Sequence, residues 1–336
     1  MARRIILVVF LLIFSLFWTA LVGFFDWKAG GQIVGQIVST HFPVATGQIT
    51  HSEVSTHGGS KKTTFGVDIQ YRYDVAGRSF EGRRFRYDDV ASSNFAWAQE
   101  VVAAHPVGAQ TTVFYNPKNP QDAVLSPGLS GEDLMWFLFL TPFNMAMFGL
   151  WILVAGRLRY VLVHPVAGGV KIVQDGFRTK VRLPEFPAIA VGMITTGGVG
   201  FVEIFLVGFT FKFHPPLGIA GLALAVAYGA GAAAYLWQRR KIESGEDDLI
   251  IDAPSRTVQL PKTFQRKERV TAAFSDISAV IVETVVNTNG KGGTSYSYAP
   301  SLRLRNKEST CERLADWSDA DRAQSFATWL REQLGC

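Results

Sequence analysis

The apolar residues of this chain are gathered into four long stretches, and that distribution constrains the fold more than any motif does. The first, Ile5 to Phe25, is about twenty residues without a charge, a helix of about 30 Å and so as long as a hydrocarbon core is thick. The second, Leu134 to Ala155, contains Pro142 and Asn144 but no ionisable side chain, and Arg157 and Arg159 follow it. Pro187 to Phe211 holds one charge, Glu203. Leu217 to Trp237, mostly Ala, Gly and Leu, runs into Arg239, Arg240 and Lys241. Each stretch is long enough to cross a bilayer, and four crossings return the chain to the side on which it began.

Arg3 and Arg4 before the first stretch would also suit a secretory signal. A signal has a shorter apolar core followed by small residues, and here Trp18, Leu21, Phe24 and Phe25 stand in that place. The sequence therefore predicts an uncleaved anchor. Cationic flanks stay in the cytoplasm. Arg3 and Arg4, the set Arg157, Arg159, Lys171, Arg178, Lys180 and Arg182, and the basic end of the fourth stretch mark the inner side, against only Lys212 between the third and fourth. Both termini are expected in the cytoplasm of a bacterial cell, with the protein multi-pass in its inner membrane.

This gives a cytoplasmic tail (1–4), a first span (5–25), an extracytoplasmic domain (26–133), a second span (134–155), a basic cytoplasmic hairpin loop (156–186), a third span (187–211), a short outer turn (212–216), a fourth span (217–237) and a cytoplasmic domain (238–336). The net charge of +5 resides in the tail and the inner loop rather than on a folded domain, so nucleic acid is not an expected partner. The only cysteines, Cys311 and Cys336, fall in the reducing compartment, and no disulfide framework is implied.

In the outer segment, Gly31 to Val38 repeats a tetrad with Gln32 and Gln36 on one face, which reads as a helical stalk. Strands follow: Val44 to Ser55, then Thr63 to Val75 with Val67, Ile69, Tyr71, Tyr73 and Val75 alternating with polar residues, separated by a Gly-rich turn at His57 to Lys62. Ala76-Gly77 turns into Arg78 to Arg86. Ser92 or Ser93 caps a helix to Ala104 with Phe95, Val101 and Val102 on its apolar side, and Gln110 to Tyr115 returns as a strand stopped by Asn116 to Pro120. The expected domain is α+β, an antiparallel sheet with one helix.

The residues Gly47-x-Ile49, Tyr71-x-Tyr73-x-Val75-x-Gly77, Gly82 and Val113-x-Tyr115-Asn116-Pro117, with Asn119-Pro120 and Ala123-Val124-Leu125, resemble the bacterial membrane family catalogued as domain of unknown function 3592, over about residues 30 to 155. The resemblance implies a membrane-tethered domain of this architecture and brings no activity and no catalytic residues.

Chemistry is sparse. His51, Glu53 and His57 share one face of a strand, but six residues separate the two histidines by about 20 Å, too far for shared ligation, so they read as surface polar groups and no metal is expected. Arg83, Arg84 and Arg86 offer a patch for an anionic ligand, or, beside Tyr87, Asp88 and Asp89, a self-compensated charged face. Gly290-Lys291-Gly292 lacks the Ser or Thr of a phosphate loop, Gly128-Leu129-Ser130-Gly131 misses the nucleophile elbow by one residue, and Gly197-Gly198-x-Gly200 lies within a span. No catalytic residue and no cofactor is assigned.

Within the membrane, Glu203 and Asn144 lie at similar depths, about 12 and 13 Å from the outer ends of their helices, which predicts a hydrogen bond pinning the second and third spans. Gly221, Ala225, Gly229 and Ala233 form a smooth strip on the fourth helix, suited to packing within the bundle or to a homo-oligomer seam.

On the inner side, Tyr160 to Val163, Val170 to Val173 and Arg178 to Leu183 predict a small hairpin. The carboxyl segment reads as strands at Leu249 to Asp252, Thr257 to Leu260, Val270 to Phe274, Ile277 to Val286, Ser301 to Arg305 and Cys311 to Ala315, with a Gly-rich tip at Asn287 to Thr294. Ser318, Asp319 and Asp321 cap a last helix whose Ala323, Phe326, Ala327 and Leu330 share a face. With Phe274-Ser275-Asp276-Ile277-x-Ala279-Val280, this order resembles the bacterial pleckstrin-homology-like fold, which implies a binding or assembly module. The expected protein is a non-enzymatic membrane binding or assembly factor with unidentified protein partners. A proton-coupled or transport component centred on Glu203, and a membrane-bound enzyme of lipid or envelope polymer using His51, Glu53 and the arginines, are the alternatives.

Overall fold

The computed structural model describes residues 2–57, 64–87, 95–163, 166–183, 187–262, 266–288, 294–305 and 311–335. The turn at 58–62, the caps Ser92 and Ser93, Asp88, Asp89, Gly290-Lys291-Gly292, the tip around them and Cys336 lie outside the described residues, as do the side chains of Arg3 and Arg4. The chain divides into two compact units, one of Phe14–Gly149 with Met193–Ala232, the other of Met1–Ile13, Leu150–Gly192 and Ala233–Cys336.

Four helices are long and apolar enough to cross a membrane. The first, α1 (Ala2–Ser39), does not stop at Phe25: it runs unbroken for 38 residues, so Asp26 and the Gln32/Gln36 repeat are helical and the predicted stalk is the helix's own continuation. At about 1.5 Å per residue it is about 57 Å long, more than a hydrocarbon core needs. Its buried positions Ser15, Val22, Ala29, Ile33 and Gln36 recur at seven-, four- and three-residue spacing, a single seam in a helix otherwise lined by exposed Phe, Leu and Ile.

The strands that follow are β1 (Val44–His57), β2 (Thr64–Val75) and β3 (Arg78–Gly82); then come helix α2 (Phe95–Ala104), β4 (Gln110–Asn116) and β5 (Asn119–Val124). They form one antiparallel sheet in the order β3-β2-β1-β4-β5. The alternation expected in β2 holds, with Ile69, Tyr71 and Tyr73 buried beside Ile49 and Val113. Ala76 and Gly77 both have positive φ, making the tight turn into β3. The stretch Asn119 to Pro120, read from sequence as the end of a strand, instead begins β5. Proline is tolerated there because β5 is a sheet edge with no further strand to donate to. The two edges approach each other: Tyr71 Oη donates to the carbonyls of Arg84 (3.0 Å) and Ala123 (2.9 Å), and Gln121 Nε2 donates to Glu81 O at 3.2 Å.

The later elements are α3 (Gly131–Val163), β6 (Lys171–Asp175), β7 (Arg178–Arg182), α4 (Ala188–Thr210), α5 (Leu217–Ser244), β8 (Asp248–Asp252), β9 (Thr257–Gln259), β10 (Thr271–Ala273), β11 (Ile277–Thr288), β12 (Thr294–Leu304), β13 (Cys311–Arg313) and α6 (Ala320–Leu334). Residues 160–163, expected as a strand, continue α3. The hairpin β6–β7 does not stand alone. It joins the carboxyl strands in a sheet ordered β10-β9-β8-β7-β6, with Val181 opposite Leu249, and β11-β12-β13 forms a second sheet. Helix α6, capped by the Asp319 carboxylate on the amides of Asp321 and Arg322, buries Ala323, Phe326, Ala327 and Leu330 as its spacing predicts. One core joins Val181 and Leu183 from the loop to Leu249, Val258, Leu302 and Phe326 from the tail.

Candidate functional site

The glycines and tyrosines that carry the family resemblance are spacers and struts of the β1–β5 sheet. Gly82 sits opposite Tyr71 in the β2–β3 register, and a Cβ there would lie 2.3 Å from the Tyr71 ring. Gly47 sits opposite Tyr73, and a Cβ there would meet Val113 at 2.7 Å. Gly82 thus makes room for the Tyr71 ring, and Gly47 for the Val113 side chain and the Arg72 carbonyl. Tyr73 Oη in turn donates to the Pro120 carbonyl.

The three arginines do not form one patch. Arg84 is bound to Asp122 at 2.5 Å and lies over the Tyr87 ring, and Tyr87 Oη donates to the other Asp122 oxygen at 3.1 Å. Burial and the neighbouring Asp122 carboxylate push the Tyr87 phenol up to about 12. Arg86 is drawn inward: its Nη2 meets Asp133 Oδ2 at 2.8 Å and Gly128 O at 3.0 Å, and Asp133 is only 2% exposed. With the Gln36 amide turned so that its oxygen faces Arg86, that oxygen accepts from Nη2 (2.8 Å) and Nε (3.0 Å). Asp133 also caps the start of α3 through the Ser130 amide at 2.7 Å. Two of the arginines assigned to an anionic ligand therefore serve as internal ties, because the chain supplies a carboxylate to each from a distant segment. Arg83 plays another part: behind the hydrogen-bonded Arg72, its charge helps to hold the Glu81 carboxyl below its ordinary range.

A second tie was not legible in the sequence. The turn between α4 and α5 places His214 Nδ1 2.5 Å from Glu132 Oε1 in the first turn of α3, with the Trp97 ring of α2 stacked on the imidazole at 4.8 Å. Gly131 permits this approach, since a Cβ would fall 1.8 Å from the Pro215 carbonyl oxygen. Together these contacts join three segments that are far apart in the chain.

Inside the bundle, the predicted Glu203–Asn144 hydrogen bond is absent. Asn144 Nδ2 donates to Asp26 Oδ1 at 2.9 Å, and Trp18 Nε1 donates to Phe143 O at 3.2 Å, so this face of α3 meets α1. Helix α4 meets a different face, with Gly197 and Gly200 against Pro142, Met145, Thr141 and Leu138. Depth along the axis fixed height but not azimuth. Glu203 Oε2 is buried with no hydrogen-bond partner among the described residues. The small-residue strip is likewise displaced: α5 buries Ala220, Ala223 and Ala227, whereas Ala225, Gly229 and Ala233 are exposed and Gly221 is half-buried, its Cβ position 3.8 Å from Leu134. The strip therefore does not serve packing within the bundle.

In the loop-and-tail module, a short 3-10 turn at Val166–Gly169 is fastened to α6. Arg322 Nε donates to Gly168 O at 2.8 Å, and the Gly168 amide donates to Ser325 Oγ at 3.2 Å. A cavity of about 340 Å³ lies beside it, bounded by Gly169, Arg182, Pro187, Lys241 and Asp248. Two of its cations are matched by acids: Arg182 Nε is 3.5 Å from Asp248 Oδ1, and Lys241 Nζ is 2.8 Å from Asp247 Oδ2. The cavity thus carries paired charge on a largely apolar wall.

Of the other nominated residues, His51 and Glu53 lie on the solvent face of β1 and are joined there by Asp68 of β2. The side chain of His57 lies outside the described residues. No curated protein and no solved structure is similar to the chain. Residues 45–130, the sheet domain with its tyrosine struts and its junction to α3, match the family described as Domain of unknown function (DUF3592).

Proposed function

We propose that the chain is a non-enzymatic, multi-pass protein of the bacterial cytoplasmic membrane that binds or assembles partner proteins through folded modules on the two sides of the bilayer. On this reading the β1–β5 domain lies outside, and both termini and the loop-and-tail module lie in the cytoplasm.

What supports the sidedness is the company that each connecting segment keeps. The turn between α4 and α5 packs with Trp97 and Glu132, as two outer segments would, and β7 pairs with β8, as two inner segments would. The distribution of Lys and Arg independently makes the same division.

The single observation that carries the binding role is the use made of the polar side chains. Arg84, Arg86, Asp133, Glu132, His214 and Arg322 each hold one segment of chain to another. Side chains arranged in this way build a scaffold rather than a reaction centre. The loop-and-tail module, two antiparallel sheets with a terminal helix in the core, has the element order of a pleckstrin-like binding fold, and its cavity is the place where such a module would take a ligand. The exposed small residues of α5 suit contact with a second copy.

A second reading is favoured by one observation, the buried and unpartnered Glu203 Oε2, which suits a proton-coupled transporter. Photo-crosslinking in intact cells from Val107 (64% exposed) and Phe177 (81% exposed), together with flux measurements in proteoliposomes, separates the two. Discrete protein adducts that persist in Glu203→Gln are expected. Absence of adducts from both positions, with pH-dependent ion flux that Glu203→Gln abolishes, overturns the binding role in favour of transport.

A further inference from the structure

A β-bulge decides what β1 presents to solvent. Ile49 pairs with Tyr71 and His51 with the next residue of β2, Gln70, so Thr50 is left without a partner of its own. Regular alternation would put Ile49, His51 and Glu53 on one face. The extra residue separates them: Ile49 remains in the core at 1% exposure, while His51 and Glu53 turn to the opposite, solvent face. Asp68 pairs directly with Glu53 across the β1–β2 ladder and so shares that face.

The three side chains converge. His51 Nε2 is 3.4 Å from Glu53 Oε1 and 3.8 Å from Asp68 Oδ2, and the three donor atoms all lie within 4.8 Å of one another. We propose that His51, Glu53 and Asp68 form a binding site for a divalent transition-metal ion, with Zn²⁺ as the ion that best suits the donor set.

The argument is one of donor type and spacing. Ligands at about 2.1 Å from a tetrahedral ion stand about 3.4 Å apart, which is the separation His51 and Glu53 already have. The Asp68 carboxylate lies slightly wider, 3.8 Å from His51 Nε2, and a small side-chain rotation closes the gap. An imidazole nitrogen among the donors favours a first-row transition ion over Ca²⁺ or Mg²⁺, which prefer oxygen ligands alone. The Cα positions are held by consecutive ladder pairs, so the triad is preorganised by the sheet. Three protein ligands on an open face leave the remaining coordination positions to water or to a donor from another molecule. In sequence the third ligand is hidden, since Asp68 is brought in by strand pairing, whereas the more obvious His57 lies farther along the same strand.

The test is calorimetric titration of the full-length, tag-free protein in nanodiscs with Zn²⁺ at neutral pH. One ion per chain is expected, with affinity reduced at least tenfold by His51→Ala and by Asp68→Asn, unchanged by His41→Ala, and with no comparable uptake of Ca²⁺ or Mg²⁺. The substituted side chains face solvent, and matching thermal unfolding of the metal-free variants confirms that the sheet is intact. Absence of stoichiometric Zn²⁺ uptake, uptake that survives the double variant His51→Ala/Asp68→Asn, or equal uptake of Ca²⁺ overturns the assignment.

Discussion

The β1–β5 sheet domain and the loop-and-tail module are both antiparallel β structures with a helix against the core, but their chains are threaded in opposite ways. Strands β1 to β5 follow one another between α1 and α3, interrupted only by α2. In the other module β7 and β8 are neighbours in one sheet although α4 and α5 separate them in sequence. The consequence lies in how each is fastened. A domain inserted between two helices touches them at its ends, and here those ends are tied by charge, with Arg86 held among Gln36, Gly128 and Asp133. In the module that encloses a helical hairpin in its own chain, an apolar core draws from both sides of the hairpin, and the pairs Arg178–Asp252 and Arg182–Asp248 only supplement the β7–β8 pairing.

The largest effects test that difference directly. Asp133→Ala leaves the Arg86 guanidinium buried without its carboxylate and should cost about 3–5 kcal/mol, most of which the double change Arg86→Met/Asp133→Leu recovers. Phe326→Ala, which empties the centre of the loop-and-tail core, should cost about 3–5 kcal/mol with no polar rescue. Hydrogen exchange read by mass spectrometry should confine the first loss to peptides from β1–β5 and the second to peptides from β6–β13 and α6. Loss of protection in α6 on Asp133→Ala would show that the two modules do not unfold separately.

Next in size are two glycine substitutions that clash for different reasons. In the β1–β5 sheet, Gly82→Ala drives a methyl group into the Tyr71 ring, which cannot swing aside because its hydroxyl is held by two carbonyls. A cost of about 1–3 kcal/mol is expected, relieved by Tyr71→Leu in the same chain. In the loop-and-tail module, Gly168→Ala places a methyl 2.6 Å from the backbone oxygen of Arg322 at a φ of +68°, so both backbone strain and a backbone contact oppose it. No side-chain change should rescue that variant. Thermal unfolding of the four chains distinguishes a side-chain clash from a backbone one.

The two regions also differ in how far they could be read from sequence. The period-two pattern of β2 and the helical spacing of Phe326 and Leu330 are local signals, and both elements formed where expected. The joining of β7 to β8 is a pairing across two helices, and a local pattern carries no information about a distant partner. The same limit explains the site residues. Glu203 and Asn144 were matched by depth, but a helix also has a direction around its axis, and Asn144 faces Asp26 instead. Arg84 and Arg86 looked free because Asp122 and Asp133 are remote in sequence. His214 and Glu132 gave no signal at all, since neither lies in a motif and their meeting depends on a turn between two helices.

A smaller effect concerns alkali. Burial raises the Tyr71 phenol above its ordinary value, and burial together with Asp122 pushes Tyr87 up to about 12. The folded sheet thus retains these protons more firmly than the unfolded chain, so their contribution to stability is complete below about pH 10 and is lost as pH rises toward about 12. Base-induced loss of near-ultraviolet ellipticity in that window should move to lower pH in Asp122→Asn, because Arg84 then loses its carboxylate and the clasp of Tyr87 loosens with it.

At the solvent surface the contrast between the modules should vanish. Arg72 and Glu81 form a 2.8 Å pair across β2 and β3, and Lys180 and Asp175 a 2.6 Å pair across β6 and β7. A hydrogen bond from the cation, with its charge, holds each carboxyl below its ordinary range. The sign of that shift means that each pair adds stability above the ordinary carboxylate pKa and loses it as pH falls through the lowered value. Both pairs are solvated, however, and salt screens them. Arg72→Ala and Lys180→Ala should therefore leave unfolding midpoints unchanged at physiological ionic strength and shift them slightly, and equally, only at low salt. An unequal response would mean that one hairpin relies on its surface pair for register, and the exposed β6 edge, where every residue faces solvent, is where such reliance would first show.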